Sequence, residues 1–376
     1  MSYRKIGELI RLVDERNKDL QVVTLVGLTI HKKFIPSVAN TIGTDMKNYK
    51  IIRRNQFACS TMQVRRDKKM PVALLKELDV AILSPAYPVF EVKDENEVLP
   101  DYLMLWFTRS EFDREACFHA VGGVRGSLEW EDFCNMELPI PSIENQREIV
   151  AQYQAVENKI KVNEQICEKL EAAAQTLYYN TIKENNCKEI LLKELCSFQE
   201  GYVNPSQEHT RYFNGNIKWL RANDVNGGFI LNTSRTLTEE GFNSAGTSAL
   251  LFSPNTIVIT KSGTIGRLGI LCDYMCGNRA VINIKPNDKD CLPFIFFVLK
   301  TKYNELIDMA VGSAQANLYV PILASLKINL PDKESLDYFN LNGNNLLELI
   351  KSKTQENQKL TQLQSLLLSR LARLEG

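Results

Sequence analysis

The chain has 376 residues, of which 44% are hydrophobic and 24% charged, and is therefore long enough for two globular domains that each bury a core. Lys plus Arg and Asp plus Glu are equal at 45 each, which argues against a coat that binds nucleic acid without regard to sequence, although local basic patches remain compatible. The sequence has no apolar run of about 18 residues, and no apolar stretch follows its charged start. We expect a cytoplasmic protein without a signal peptide or a membrane span.

Nine cysteines and three histidines are scattered along the chain. The tightest cysteine pair is Cys272 and Cys276, and no second pair completes a zinc site. We therefore expect reduced, mostly buried thiols and no metal in this chain.

The second half of the chain repeats landmarks of the first half in the same order. The matched pairs are Lys5–Leu9 with Leu191–Leu195, Leu99–Leu103 with Leu292–Phe296, Ala120–Gly123 with Ala310–Ser313, and Leu138–Pro139 with Leu330–Pro331. Matches in order, all separated by roughly 190 positions, predict two domains that share a fold.

In the first half, β-branched runs predict strands over Val22–Val26 and Val80–Leu83, and an amphipathic helix is predicted over Asp101–Arg114. A long helix should follow over Ser142–Lys183, with Ser142 as its N-cap and Glu144 in the first turn.

An apolar stripe with alternating steps of three and four residues follows this long helix, as in a coiled coil. Its members are Ile149, Tyr153, Val156, Ile160, Cys167, Leu170, Ala174 and Leu177, with Asn163 and Thr181 as polar members. We interpret Asn163 as a polar residue that sets the register.

In the second half, strands are predicted over Thr256–Thr260, Leu268–Leu271 and Ala280–Ile284, with a short helix over Pro293–Asn304. A second long helix should cover Asp332–Leu374, weakened near Gly343. Its seam residues are Leu346, Leu349, Ile350, Leu360, Leu363, Leu367 and Leu371, with Lys353 and Asn357 near the seam.

These elements predict an α+β protein in which two repeated α/β domains, 1–141 and 188–331, are separated by two long helices, 142–187 and 332–376. Two stripes of similar length favour an antiparallel coiled coil between the helices. The alternative is that each helix packs only on its own domain.

Several segments resemble the specificity subunit of Type I restriction-modification systems. Trp219–Val225 looks like that family's early strand and turn, Thr260–Arg267 is similar to its G-T-I-G turn, and Val311–Leu318 is similar to its late Gly-Ser loop. Leu138–Val150 resembles the "L-P-x-P … Q-x-x-I-V" start of the central helix. The likeness covers essentially the whole chain and implies that the two domains are target-recognition domains.

Two features depart from the family pattern. The first domain lacks a G-T-I-G turn, and its nearest equivalent stretch is Ser84–Pro88. The start of the second helix, Leu330–Glu334, lacks the Gln-x-x-Ile form.

The resemblance implies a non-catalytic subunit that binds double-stranded DNA, two adenine-N6 methyltransferase subunits and, where restriction occurs, restriction/translocase subunits. S-adenosylmethionine and ATP would then bind to the partners, and this chain would carry no cofactor. The sequence itself offers no convincing catalytic motif. Gly263, Gly266 and Gly269 lack the Lys-Ser/Thr of a P-loop. Asp79, Glu91 and Lys93 faintly resemble the carboxylate–lysine set of a nuclease, but chance explains their spacing.

DNA-binding candidates lie in both domains. A basic block in domain one consists of Arg53, Arg54, Arg65, Arg66, Lys68 and Lys69. The flexible turn of domain two carries Lys261, Ser262, Thr264 and Arg267. These side chains suit phosphate or base contacts, and a solvated basic face is the alternative.

In the late loops, Gln315 and Asn317 carry amides that can pair with adenine, and Arg125 in the matching loop can read guanine. Loop capping is the alternative for these three residues. For the whole chain, the alternatives to a DNA-reading subunit are a coiled-coil scaffold that does not bind DNA and a diverged nuclease or methyltransferase.

Overall fold

The computed structural model describes residues 2–37, 44–122, 126–312 and 316–371. The chain divides into two compact units: unit 1 is Met1–Ile160 with Lys359–Gly376, and unit 2 is Lys161–Gln358. The two long helices contribute to both units.

Unit 1 is built on an antiparallel sheet with the strand order β2-β9-β6-β7 and three further strand pairs, β1–β10, β3–β4 and β5–β8. Its strands are β1 (Ser2–Lys5), β2 (Ile10–Val13), β3 (Val26–Leu28), β4 (Phe34–Pro36), β5 (Lys50–Arg53), β6 (Phe57–Cys59), β7 (Val72–Leu74), β8 (Val80–Leu83), β9 (Val89–Val92) and β10 (Glu137–Ile140). Its helices are α1 (Ile6–Leu9), α2 (Val64–Asp67), α3 (Pro100–Thr108), α4 (Ser110–His119), α5 (Trp130–Asn135) and the first part of α6 (Ile143–Glu184).

Aromatic rings fill the core of unit 1 between the sheet and its helices. Phe57 and Phe90 on adjacent strands stack with ring centroids 5.0 Å apart, and Phe107 of α3 meets both edge-on. Such pairs add about 0.5–1.5 kcal/mol each beyond the burial of their area. The sheet and the helices are therefore held as one body within this unit.

Unit 2 has a main sheet with the order β12-β20-β17-β18-β14, a second sheet with the order β15-β13-β19-β16, and the pair β11–β21. Its strands are β11 (Lys188–Leu191), β12 (Cys196–Glu200), β13 (Phe213–Leu220), β14 (Phe229–Ile230), β15 (Thr236–Leu237), β16 (Leu251–Phe252), β17 (Ile257–Thr260), β18 (Leu268–Leu271), β19 (Met275–Gly277), β20 (Val281–Pro286) and β21 (Lys327–Leu330). Its helices are α7 (Glu239–Asn243), α8 (Leu292–Thr301), α9 (Tyr303–Asp308), α10 (Val320–Ala324) and most of α11 (Lys333–Arg370).

The two units repeat one topology, as the sequence landmarks predicted. The four-stranded order β2-β9-β6-β7 of unit 1 recurs as β12-β20-β17-β18 in unit 2, with every pairing antiparallel. In both units an early strand pairs with the strand that precedes a long helix, as β1–β10 and as β11–β21. The predicted α+β organisation of two repeated domains with two long helices is confirmed.

Both long helices have polar N-caps. The Asn145 amide donates to the Ser142 hydroxyl at 3.4 Å at the start of α6, and the Ser335 amide donates to the Asp332 carboxylate at 2.9 Å at the start of α11. These side chains satisfy backbone N–H groups that have no partner inside the helix.

The helices pair in antiparallel register, as predicted. Within unit 2, the Asn163 amide donates to the Asn357 side chain at 2.8 Å, and Tyr178 and Phe339 have ring centroids 5.9 Å apart. Within unit 1, Val150 of α6 and Leu371 share the core. Asn163 is fully buried, so its bond to Asn357 favours this register over its neighbours, which would leave the amide unpaired.

Most of the predicted seam residues are buried or half-buried, but Leu349 and Leu363 are exposed. Near the end of α11, half-buried or buried residues are spaced four, three and four positions apart. They are Leu360, Gln364, Leu367 and Leu371. Leu349 and Leu363 therefore point away from the seam, and their assignment to it was wrong.

Three predicted short elements differ from the structure. The strand predicted over Val22–Val26 begins only at Val26, because the Asn17 side chain takes both backbone groups of Val22. The helix predicted over Asp101–Arg114 is two helices, broken where Arg109 is extended and its guanidinium lies over the Trp106 ring. The helix over Pro293–Asn304 is likewise divided, at Lys302.

Gly343 does not interrupt α11, which runs through it without a break. A Cβ built on Gly343 would lie 2.7 Å from Cβ of Pro293 at the start of α8. Glycine therefore allows the close approach of α8 to α11. None of the helices in the described ranges is both long and apolar enough to cross a membrane.

We predict that Gly343→Ala destabilises the protein although alanine favours helices. Alanine gains about 1 kcal/mol in helix propensity, but overpacking against Pro293 costs about 1–3 kcal/mol. Urea unfolding of the full chain should show a lower midpoint. Asn345→Ala, at an exposed position of the same helix, is the matched control and should raise the midpoint slightly; a higher midpoint for Gly343→Ala would refute the packing explanation.

Candidate nucleic-acid interface

The topology aligns two turns whose sequences share little. Residues 60–71 connect β6 to β7 in unit 1, and residues 261–267 connect β17 to β18 in unit 2. Because β6 and β17 occupy the same place in the repeated sheet, the turn at 60–71 is the counterpart of the Gly-rich turn. The assignment of Ser84–Pro88 to this role was wrong, since that stretch lies between β8 and β9.

Each unit places a second loop against its turn. Antiparallel bridges join Val121 to Ser127 and Val311 to Asn317, and we call residues 121–127 and 311–317 the late loops. The Leu128 amide donates to the carbonyl of Thr61 in unit 1, and the Leu318 amide donates to that of Lys261 in unit 2, both at 2.9 Å.

The turn and the late loop of each unit therefore form one surface patch. Arg125 and Gln315 lie outside the described residues. Asn317 is half-buried and closes its loop through backbone bonds with Val311. A contact of these three residues with DNA remains a prediction.

In unit 1 the turn forms the one-turn helix α2, bounded by Gln63 and Lys68, which both have left-handed backbones with φ of +62° and +50°. The Arg65 amide donates to Gly126 O, and its guanidinium donates to Gly122 O, both at 3.2 Å. Arg65 thus bonds to both described sides of the late loop, so its first role is to position that loop.

The other cations of this turn differ in how open they are. Arg66 pairs with its neighbour Asp67 at 2.7 Å, and this hydrogen bond raises the pKa of Arg66 and lowers that of Asp67. Lys68 is exposed, whereas Lys69 is half-buried and lines a cavity of about 440 Å³ with Lys32. Lys68 is therefore the cation of this turn that is most open to a ligand.

A buried ion pair, which sequence analysis missed, anchors the end of this turn. Asp113 of α4 accepts from the Lys32 ammonium at 2.8 Å and from the Met70 amide at 3.0 Å. Burial lowers the pKa of Lys32, and its bond to Asp113 opposes that shift. An acidic residue between apolar Phe112 and Ala116, on the buried side of a helix, was the available signal.

Arg53 and Arg54 do not belong to this surface. They precede β6, whereas the turn follows it, so the predicted basic block is split between opposite ends of one strand. Arg53 pairs with Glu15 at 2.6 Å, which raises the pKa of Arg53, and Arg54 pairs with Asp79 at 2.8 Å.

The turn of unit 2 relies on glycine and on one hydroxyl. Gly263 and Gly266 have φ of +76° and +85°, which side chains rarely adopt. The Thr260 hydroxyl accepts from the Arg267 amide at 3.0 Å and donates to the carbonyl of Thr264. These contacts within the turn hold its two ends together.

The four predicted side chains of this turn are not equally accessible. Lys261 pairs with Glu200 at 3.1 Å and has only 14% of its side chain exposed. The Thr264 hydroxyl oxygen is buried and has no hydrogen-bond partner among the described residues. Ser262 is half-buried, whereas Arg267 is exposed. Arg267 is therefore the member of this set that is best placed to meet a ligand.

Sequence analysis missed Arg279, which is exposed on the connection between β19 and β20. Its neighbour Ala280 accepts from the Lys261 amide at 2.8 Å, so this connection borders the turn. In unit 1 the corresponding bond runs from the Cys59 amide to Pro88 O at 3.1 Å, which gives Ser84–Pro88 its correct counterpart. Alignment of the halves by strand order, rather than by motif, would have found Arg279.

The faint carboxylate–lysine set of a nuclease is not assembled. Asp79 pairs with Arg54, Glu91 bonds to Arg11 and Gln56, and the Lys93 ammonium donates to backbone carbonyls of α1. Across 2–37, 44–122, 126–312 and 316–371, no three His, Cys, Asp or Glu side chains lie close enough together to hold a metal ion.

Comparisons with known proteins agree with the repeated topology. The family model for the Type I restriction modification DNA specificity domain matches residues 65–172 and 184–362. The specificity subunit of the Type I restriction enzyme HindI from Haemophilus influenzae is 27% identical over 173 residues, which are 44% of this chain and 37% of that protein. The match thus spans well under half of that relative.

A crystal structure of the S subunit of a Type-I restriction-modification system from M. genitalium superposes with a TM-score of 0.58. The superposition covers 99% of this chain and 96% of that one at 15% identity, so the likeness is one of fold.

We predict that Arg65→Ala loosens the late loop of unit 1. Loss of the guanidinium bond to Gly122, worth about 1.5 kcal/mol for a charged donor, should raise hydrogen exchange of the Val121 and Ser127 amides about tenfold. Arg66→Ala is the matched control, because the Arg66 guanidinium pairs with its neighbour Asp67. Unchanged exchange in Arg65→Ala would show that the loop does not depend on this bond.

Proposed function

The chain belongs to the family of Type I restriction modification DNA specificity domains, and on that premise we propose that it is the subunit that selects the DNA sequence of a Type I restriction-modification complex. The observation that carries this proposal is the duplication: the family model matches both halves, and each half presents a turn and a late loop as one patch.

The proposed target is bipartite and asymmetric. Two patches predict two short specific blocks of base pairs that flank a gap of unspecified sequence. Because the turn of unit 1 carries the cations Arg65, Arg66, Lys68 and Lys69 whereas the turn of unit 2 is built on glycines, the blocks should differ, and the site should not be a palindrome.

The proposed partners follow the same duplication. Two related surfaces, one for each repeat, suit two adenine-N6 methyltransferase subunits around a pseudo-two-fold axis, with restriction/translocase subunits added where restriction occurs. We propose that S-adenosylmethionine and ATP bind to those partners and that this chain is not itself an enzyme.

Two other functions make different predictions. A scaffold that does not bind DNA would assemble with partners but would give no sequence-specific binding. A diverged nuclease or methyltransferase would turn over its substrate as the purified chain alone, and such turnover would refute the proposal.

We predict that co-expression with the methyltransferase of the same system, in cells that lack it, produces N6-methyladenine at one bipartite site. Methylome sequencing is the measurement, and the methyltransferase alone is the control. Methylation at a continuous palindrome, or equal methylation without this chain, would contradict the proposal.

We predict further that a matched deletion of seven residues around Asn163 and seven around Asn357, which bond to each other, shortens the gap. Seven helical residues span about 10.5 Å, which corresponds to about three base pairs. Both blocks should stay the same, and the methylome of the variant measures both. A changed block with an unchanged gap would show that the helices do not set the spacing.

A further inference from the structure

A groove of about 510 Å³ lies beside the turn of unit 2. Its polar and glycine lining residues are Gly266 and Arg267 of the turn, Lys300 of α8, Tyr303 of α9, and Asn226 and Gly227. All of these residues belong to unit 2.

Two glycines make the groove possible. Gly266 has φ of +85°, and a Cβ placed there would lie 2.9 Å from Cε2 of Tyr303, so the phenol ring rests on bare backbone. Gly227 has φ of +99°, and its amide bonds to Leu268 O at 2.9 Å. Apart from its two chain neighbours, no atom of the described residues lies within 4 Å of a Cβ built on Gly227, so there is room for an incoming group at this position.

The polar groups of the groove favour an anion. Within the described part of the chain, the guanidinium of Arg267, the hydroxyl of Tyr303 and the amide of Asn226 have no hydrogen-bond or ion-pair partner. Lys300 contacts Glu171 of α6, so its charge is already balanced. The groove is lined by no carboxylate from the described residues, and its unbalanced charge is that of Arg267.

We propose that this groove binds a phosphate of the DNA backbone next to the base pairs at the turn of unit 2. The inference rests on the proposed function and adds a contact that positions DNA without reading sequence. Continuity favours this occupant over a free anion, because Arg267 belongs both to the groove and to the turn. The guanidinium, the hydroxyl and the amide can all donate to phosphate oxygens.

The first experiment measures how DNA binding by the methyltransferase complex depends on salt. Arg267→Gln should weaken binding about tenfold and reduce the slope of log affinity against log salt by about one, because one phosphate contact is lost. Tyr303→Phe should weaken binding a few-fold and leave the slope unchanged. Lys289→Gln, an exposed cation beyond the other end of α8, is the charge-matched control and should change neither quantity.

The second experiment locates the phosphate. Single methylphosphonate substitutions, each of which removes one backbone charge, are scanned across the target duplex. One position beside the block that unit 2 reads should weaken binding of the wild-type complex about tenfold. The same methylphosphonate should weaken DNA binding by the Arg267→Gln complex little further, because that complex already lacks the contact.

The outcomes separate the groove from the proposed function. Additive losses at every methylphosphonate position, or a changed base preference in the methylome of Arg267→Gln, would overturn the phosphate assignment while sequence-specific binding persisted. Loss of all sequence-specific binding by the wild-type complex would instead overturn the proposed function.

Discussion

In each unit a backbone hydrogen bond from the residue that follows the late loop reaches the turn after the central strand, β6 in unit 1 and β17 in unit 2. It runs from the amide of Leu128 to Thr61 O in unit 1 and from the amide of Leu318 to Lys261 O in unit 2. Because the bond uses main-chain atoms, it does not constrain which side chains the two loops carry. The patch can therefore change its surface while its geometry stays the same, which suits a domain that has to recognise different sequences.

The two units use that freedom differently. In unit 1 the turn forms α2, and the Arg65 guanidinium bonds to the late loop. An arginine that could bind phosphate therefore positions the late loop instead. Unit 2 closes its turn through the Thr260 hydroxyl and two glycines, which leaves Arg267 free to face the groove beside Tyr303. Counting cations would rank unit 1 as the stronger binder, whereas the contacts show that part of its charge is internally bonded.

Periodicity and repetition predicted most of the fold. The two long helices, the N-cap Ser142 and the antiparallel pairing follow from spacing and from Ser142 and Asn163, because a helix shows its buried stripe directly in the sequence. Breaks at Arg109 and Lys302 were not predictable, since both residues are ordinary helix formers and the breaks follow from packing.

The candidate site was harder to predict from the sequence, because the order of strands in the sheet decides which loops meet. Motif similarity placed the counterpart of the Gly-rich turn at Ser84–Pro88, whereas the sheet places it at residues 60–71. The buried pair Lys32–Asp113 joins residues far apart in the chain, and no local pattern records such a partner. A site assembled from loops is therefore best located by aligning the two halves through their strands.

Gly343 shows that tertiary packing also decides the role of a residue within the long helices. In isolation a glycine inside a helix is a weak point, yet here it allows α8 and α11 to approach closely, since a Cβ at this position would lie only 2.7 Å from Cβ of Pro293. α8 also carries Lys300, which contacts Glu171 on α6. Within unit 2, then, both long helices contact α8, the short helix that carries Lys300 at the groove.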